Sequence, residues 1–270
     1  MTFSIVAYDV KSASWGVAVA SKFLAVGAVV PWGRAGAGAV ATQAAANLSY
    51  GPEGLDLLAE GLPAADVIER LTAADDGRDS RQVGVVDAAG RGATYTGPEC
   101  MDWAGGLAGD GFAMQGNILA GPGVVPAMAE AWRDRADEPF AHRLLQSLTA
   151  GDQTGGDRRG RQSAALRVWR AGAAYGGQLD LAINLRVDDH RTPVEELGRL
   201  LDLHDLYFGT PDPSTLLPLE GALADEVTTL LTRLGHETLD AWAGTENFEE
   251  RLVPGKLDPV VLEQLRNSLP

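Results

Sequence analysis

Residues 3–8 and 15–21 are runs dominated by Ala, Val, Ile and aromatic side chains, with a polar segment at 9–14 between them. Such a pattern predicts two strands joined as an antiparallel hairpin. Residues 28–30 and 38–43 are expected to continue that sheet through Gly-rich connections. The spacing changes at 55–60 and 64–73, where Leu55, Leu58, Val67, Ile68 and Leu71 recur at helical intervals, with Pro63 suited to a first turn. A second hairpin is predicted at 82–87 and 92–96, and a short strand at 111–115. Helices follow at 126–136 and 140–150, then a charged Gly-rich loop at 151–162. Strands at 163–170 and 179–187 close the sheet. From Val194 the spacing is helical to the end, apart from a turn cluster at 209–213.

Hairpins, then helices, then strands again is an α+β order. Two antiparallel sheets packed face to face, with helices outside, satisfy it. A parallel nucleotide-binding fold does not. Gly36-Ala37-Gly38 opens like a dinucleotide fingerprint but runs into a strand, and the glycines near Gly105 and Gly111 also lack the strand–loop–helix context.

Composition narrows the function classes. The chain of 270 residues has a net charge of −15, which disfavours nucleic acid and anionic membranes as partners. One cysteine, Cys100, precludes an internal disulfide. The N-terminus lacks a basic leader, and the longest apolar stretch, 23–40, contains Pro31 and Arg34, so a cytoplasmic address is expected. The 22 basic residues include only three lysines, Lys11, Lys22 and Lys256.

The four histidines are scattered. Asp188-Asp189-His190 is the one acidic–histidine cluster, and a solvated strand end explains it as well as a metal site does. Neither metal nor cofactor is expected. Cys100 reads as a small buried hydrophobe or a nucleophile. Thr2 follows the initiator methionine. With Met1 removed it offers a hydroxyl nucleophile and its own α-amine as base, whose ordinary pKa of about 7.7–8.0 leaves part of it neutral. Lys22, at the far end of the hairpin, would return toward residue 2 and lower that pKa. The bland alternative is an ordinary second residue beside a rim charge.

Thr42, Gln43 and Asn47 follow one strand, and Gln115 and Asn117 end another. Amides beside glycines build oxyanion holes, and they also form turns. In the loop Gly155-Gly-Asp-Arg-Arg-Gly-Arg-Gln162, Asp157 stands among Arg158, Arg159 and Arg161. The three guanidinium groups suit either a substrate carboxylate or an internal ion-pair network.

Several motifs are now in view: Thr2-Phe-Ser-Ile-Val-Ala, Trp15-Gly-Val-Ala-Val-Ala-Ser-Lys-Phe-Leu-Ala-Val-Gly27, Val40-Ala-Thr-Gln43, Gln115-Gly-Asn-Ile-Leu119, the arginine loop, and Leu185-Arg-Val-Asp-Asp-His190. Together they resemble the domain-of-unknown-function 1028 family, grouped with the N-terminal-nucleophile hydrolases, over residues 1–192. The resemblance implies a four-layer αββα sandwich with Thr2 in the nucleophile position and Ser21-Lys22 near its catalytic polar groups. Residues 200–270, with Trp242-Ala-Gly-Thr-Glu-Asn-Phe-Glu-Glu-Arg251, resemble a module labelled peptidoglycan-binding. Those residues hold 13 acidic and four basic side chains, a net −9, which disfavours an anionic wall polymer. The helical stripe Leu223, Val227, Leu230, Leu231 and Leu234 suggests instead an interface with the first domain or with another subunit, and hence a homo-oligomer.

The expectation is an amidohydrolase acting on a small, carboxylate-bearing amide or ureide. Thr2 is the nucleophile, Ser21 or Lys22 tunes it, and Asn117 or Gln43 stabilises the oxyanion. A non-catalytic binding protein of the same fold and an oligomeric scaffold are the rivals.

Overall fold

The computed structural model describes residues 2–269. The chain forms two compact units that meet in sequence at Arg199/Leu200. In the first, β1 (Thr2–Asp9) and β2 (Ser14–Ser21) make the hairpin. The Asp9 carboxylate accepts from the Ser12 N–H at 2.9 Å and closes the turn. Residues 26–28 form a 3-10 turn where sheet was expected to continue. The next strand, β3 (Pro31–Arg34), begins at Pro31. Then come β4 (Gly38–Ala44), α1 (Tyr50–Ala59), α2 (Ala64–Ala73), β5 (Arg81–Asp87) and β6 (Gly92–Thr96). After β7 (Gly105–Gly109) and β8 (Phe112–Asn117) the chain forms α3 (Val124–Asp134) and α4 (Phe140–Gln153). It returns as β9 (Ser163–Trp169) and β10 (Leu181–Val187).

These strands form two antiparallel sheets, and β3 and β4, expected to continue the sheet of the first hairpin, belong to the other. The larger runs β10-β9-β2-β1-β8-β7 and the smaller β3-β4-β5-β6. β1 is central in its sheet, so both of its faces are covered and its residues from Thr2 to Ala7 are buried. Helices α1 and α2 pack on the smaller sheet, α3 and α4 on the larger. Gly16 admits α4, because a Cβ there would lie 2.5 Å from Leu144 Cδ1. Between the sheets, Val6, Trp15, Val17, Val86, Ala113 and Trp169 form an apolar core. Toward the Thr2 end that core turns polar.

Helix α5 (Pro193–Phe208) contains the boundary. The second unit comprises β11 (Leu217–Pro218), α6 (Gly221–Leu234), α7 (Leu239–Glu246), β12 (Lys256–Leu257) and α8 (Pro259–Asn267). Thr238 and Asp258 cap α7 and α8 with their side chains. The stripe on α6 faces its own unit: Val227, Leu230 and Leu231 are buried with Trp242 and Phe248, and Leu223 and Leu234 pack against them. The apolar surface that suggested a subunit interface therefore forms this unit's core, and the ground for expecting an oligomer is removed. Trp242 and Phe248 stack at 5.5 Å, and Arg251 is clamped by Asp258 at 2.6 Å.

Candidate functional site

Register brings four polar side chains into one row across the larger sheet. Thr2 opposes Asn117, and Ser21 opposes Ser163. Phe3 opposes Ala20, so the next pair outward is Thr2 and Ser21. Their hydroxyls lie 3.1 Å apart, with Thr2 only 6% exposed and Ser21 2%. Side chains in register share a face, here the one turned to the smaller sheet.

Beneath the row lies a sealed amide network. Ser4 Oγ donates to Gln43 Oε1 and accepts from Gln115 Nε2, each at 2.6 Å. Gln43 Nε2 donates to the Thr2 carbonyl at 3.2 Å and to Gln82 Oε1 at 2.8 Å. Asn117 Nδ2 donates to the same Gln82 oxygen at 2.8 Å. Gln82 in turn donates to Thr96 Oγ1 and to the Gly116 carbonyl. Gly84 leaves room for this, since a Cβ there would overlap Gln115 Oε1. Burial obliges each amide to find partners, and these find one another. Gln43 and Gln115, expected to touch substrate, thus support the site from below. Gln82 was not singled out in the sequence, although a glutamine opening a buried Val-rich strand is a visible signal.

Thr42 points to the other face of β4 and donates to the Asn47 carbonyl at 3.0 Å. The Asn47 side chain donates to Asp75 Oδ2 at 3.1 Å and accepts from the Ser49 N–H. Both residues hold the β4–α1 connection and do not face a ligand. Asp75 also receives Tyr50 Oη at 3.0 Å, Arg81 Nε at 2.9 Å and the Gly77 N–H. Arg81 chiefly, with these other donors, holds the Asp75 carboxyl well below the usual carboxylate range, while burial raises the Tyr50 phenol. A depressed folded pKa contributes stability that is complete above the unfolded value of 3.8 and is lost as pH falls below it. Denaturant titrations should show wild type losing more stability than Asp75→Asn from about pH 4 downward, with the difference still shrinking at about pH 3 because the folded carboxyl titrates well below that. Parallel curves would show that the clamp carries no such linkage.

The arginine loop divides. Asp157, 7% exposed, accepts from the Lys22 N–H at 2.6 Å and the Arg159 N–H at 2.9 Å, and pairs with the Arg159 guanidinium at 3.3 Å. Arg161 pairs with Asp152 at 2.8 Å. Asp157, Arg159 and Arg161 therefore serve the loop's own structure and pin the exit of β2. Arg158 is exposed and its guanidinium has no ion pair among the described residues. Lys22 is exposed too, and its tie to the site is through its backbone.

Backbone strain gathers at the same end. Five described non-glycine residues have positive φ, and three of them flank these elements: Ala25 (54°), Ala44 (67°) and Ile118 (48°). A β-branched residue in that region is an outlier. Ile118 is held there by its N–H on the Met101 carbonyl at 2.8 Å and its carbonyl on the Arg158 N–H at 3.4 Å. Strain of this kind concentrates at functional sites.

Cys100 donates its thiol to the Arg81 carbonyl at 3.3 Å, and burial pushes its pKa up, which leaves it protonated and a poor nucleophile. Among the described residues no group of three or more His, Cys, Asp and Glu is arranged to hold a metal ion. No helix among them is long and apolar enough to cross a membrane. The expected removal of Met1 falls outside the described residues.

Compared with known proteins, residues 2–197 match a family described as being of unknown function, DUF1028. Residues 207–265 match the "Putative peptidoglycan binding domain". The crystal structure of a DUF1028 protein from Silicibacter pomeroyi is similar at 31% identity and a TM-score of 0.68. The match covers 83% of this chain and 92% of that one. No curated protein matches.

Proposed function

Because the chain belongs to the DUF1028 family and carries a peptidoglycan-binding-type domain behind it, we infer that its first unit is an N-terminal-nucleophile amidohydrolase. Its substrate in this reading is a small, carboxylate-bearing amide or ureide. The observation that carries the reading is the Thr2–Ser21 hydroxyl pair, 3.1 Å apart at the head of a central strand, with Asn117 directly across. Two facing sheets with helices on their outer surfaces fit the αββα sandwich of such hydrolases.

In this mechanism the α-amine of Thr2, free once Met1 is cleaved, accepts the hydroxyl proton, and Oγ1 attacks the amide carbonyl. Ser21 orients the Thr2 hydroxyl. One Asn117 amide hydrogen is held by Gln82, and the other donates to the oxyanion. Collapse breaks the C–N bond, the leaving amine takes the proton from the α-ammonium, and the acyl group stays on Oγ1. Water then hydrolyses the ester and restores Thr2. Lys22 and Arg158 are the cations available to a substrate carboxylate.

A screen of small amides for amine release, together with the intact mass of the native protein, tests the reading. Turnover by protein that retains Met1 would end it, because an amide nitrogen cannot accept the proton. Arg158→Ala should mainly raise KM, by about ten- to a hundredfold, corresponding to roughly 1.5–3 kcal/mol for a charge-assisted hydrogen bond. Arg159→Ala should instead lower the melting temperature. Equal KM in the wild type and Arg158→Ala would remove Arg158 from the site.

A further inference from the structure

The Thr2 end carries apolar side chains as well as cations. Phe23, Leu24 and Met101 are 49%, 60% and 64% exposed. Phe23 and Leu24 directly follow Ser21-Lys22, and the Phe23 carbonyl accepts from Ser163 Oγ in the polar row at 2.5 Å. Met101 lies on the opposite flank, its carbonyl bound by the N–H of Ile118, the residue after Asn117. The Arg158 N–H donates to the Ile118 carbonyl, and the preceding residue, Asp157, accepts from the Lys22 N–H. Thr2 is thus flanked by Phe23 and Leu24 on one segment and by Met101 on another, and the exposed cations Lys22 and Arg158, next to these segments, have no ion pair among the described residues.

Scattered exposed apolar residues need no explanation, whereas a cluster framing a polar row does. A second copy of the chain is a poor occupant. A two-fold contact at this end would set Lys22 and Arg158 against their own counterparts. An amphipathic anion satisfies both features at once.

We propose that the site takes an amide joining an aliphatic acyl chain to a carboxylate-bearing amine, the chemistry of an N-acyl amino acid. The acyl chain lies on Phe23, Leu24 and Met101, and the carboxylate meets Arg158 or Lys22. Hydrolysis consumes one water, breaks the acyl C–N bond and yields a fatty acid and an amino acid. That step rests on the reading of Thr2 as nucleophile. The binding step does not.

The test is calorimetric titration of the full-length Thr2→Ala variant with N-decanoylglycine and N-acetylglycine. The decanoyl compound should bind at least roughly 30-fold more tightly, since each buried methylene strengthens binding severalfold. Phe23→Ser with Leu24→Ser, at positions 49% and 60% exposed and with the melting temperature measured as a control for folding, should abolish most of that gain. Decanoylglycinamide should bind about tenfold more weakly than decanoylglycine, the cost of one charge-assisted contact. Equal affinity for the two acyl lengths, or a gain that survives the double substitution, overturns the proposal. Tight, length-dependent binding without turnover by wild type would uphold it while refuting the amidohydrolase reading. Hydrolysis of acetylglycine and decanoylglycine with equal KM would do the reverse.

Discussion

Replacing Thr2 by Ala is expected to lower amide turnover at least about a thousandfold and to leave the fold intact. The substitution removes the hydroxyl proposed as nucleophile but keeps the backbone carbonyl that Gln43 binds and the strand pairings of β1. Thr2→Ser should retain measurable activity, because hydroxyl and amine both survive. Ser21→Ala should fall between them, at about a hundredfold, the usual contribution of a group that positions or relays a proton. Assays of amine release, with melting temperatures for each variant, give the comparison. Undiminished turnover in Thr2→Ala would move the nucleophile elsewhere and leave the hydroxyl pair as part of the sandwich's interior.

The second large effect is on stability. Gln82→Leu keeps the approximate volume but leaves the Gln43 and Asn117 amides without their shared acceptor, and the Thr96 hydroxyl and Gly116 carbonyl without a donor. Unsatisfied buried polar groups cost about 1–3 kcal/mol each, so a loss of about 3 kcal/mol or more is expected. For a domain of this size that lowers the melting temperature by roughly 6–12 °C. Gly84→Ala should act in the same direction, since its methyl would meet Gln115 Oε1. Denaturant unfolding of the first unit measures both. A change below about 1 kcal/mol for Gln82→Leu would mean that the network reorganises around the gap.

Local pattern made some elements legible and hid others. The β1–β2 hairpin was readable because an apolar run on each side of a polar turn leaves few alternatives. Two facing sheets were expected from the element order, but the point where the chain passes from one to the other was not legible, because residues 28–30 are as apolar as a strand. Pro31 was the missed signal: proline is tolerated at the start of an edge strand, and β3 is the edge of its sheet. β7, Gly-Gly-Leu-Ala-Gly, has almost no β propensity and exists through its pairing with β8. At the site, Thr2 and Asn117 stood out as residue types, but their register across β1 and β8 joins positions 115 residues apart in sequence and leaves no local trace. The same holds for Gln43, Gln82 and Asn117, whose roles come from facing one another between sheets. The arginines looked alike in the sequence, and only the placement of Asp152 and Asp157 separates the two that are paired from Arg158.

The exposed Lys22 and Arg158 also have a kinetic consequence. They sit on a chain whose net charge is −15, so an approaching anion is repelled at long range and attracted only near the site. At low ionic strength the long-range repulsion dominates the encounter. Near 0.1 M salt, where the Debye length is about 10 Å, the distant charges are screened before the local pair is. The association rate of an anionic ligand should therefore rise with added salt, pass through a maximum, and fall as the two cations are screened in turn.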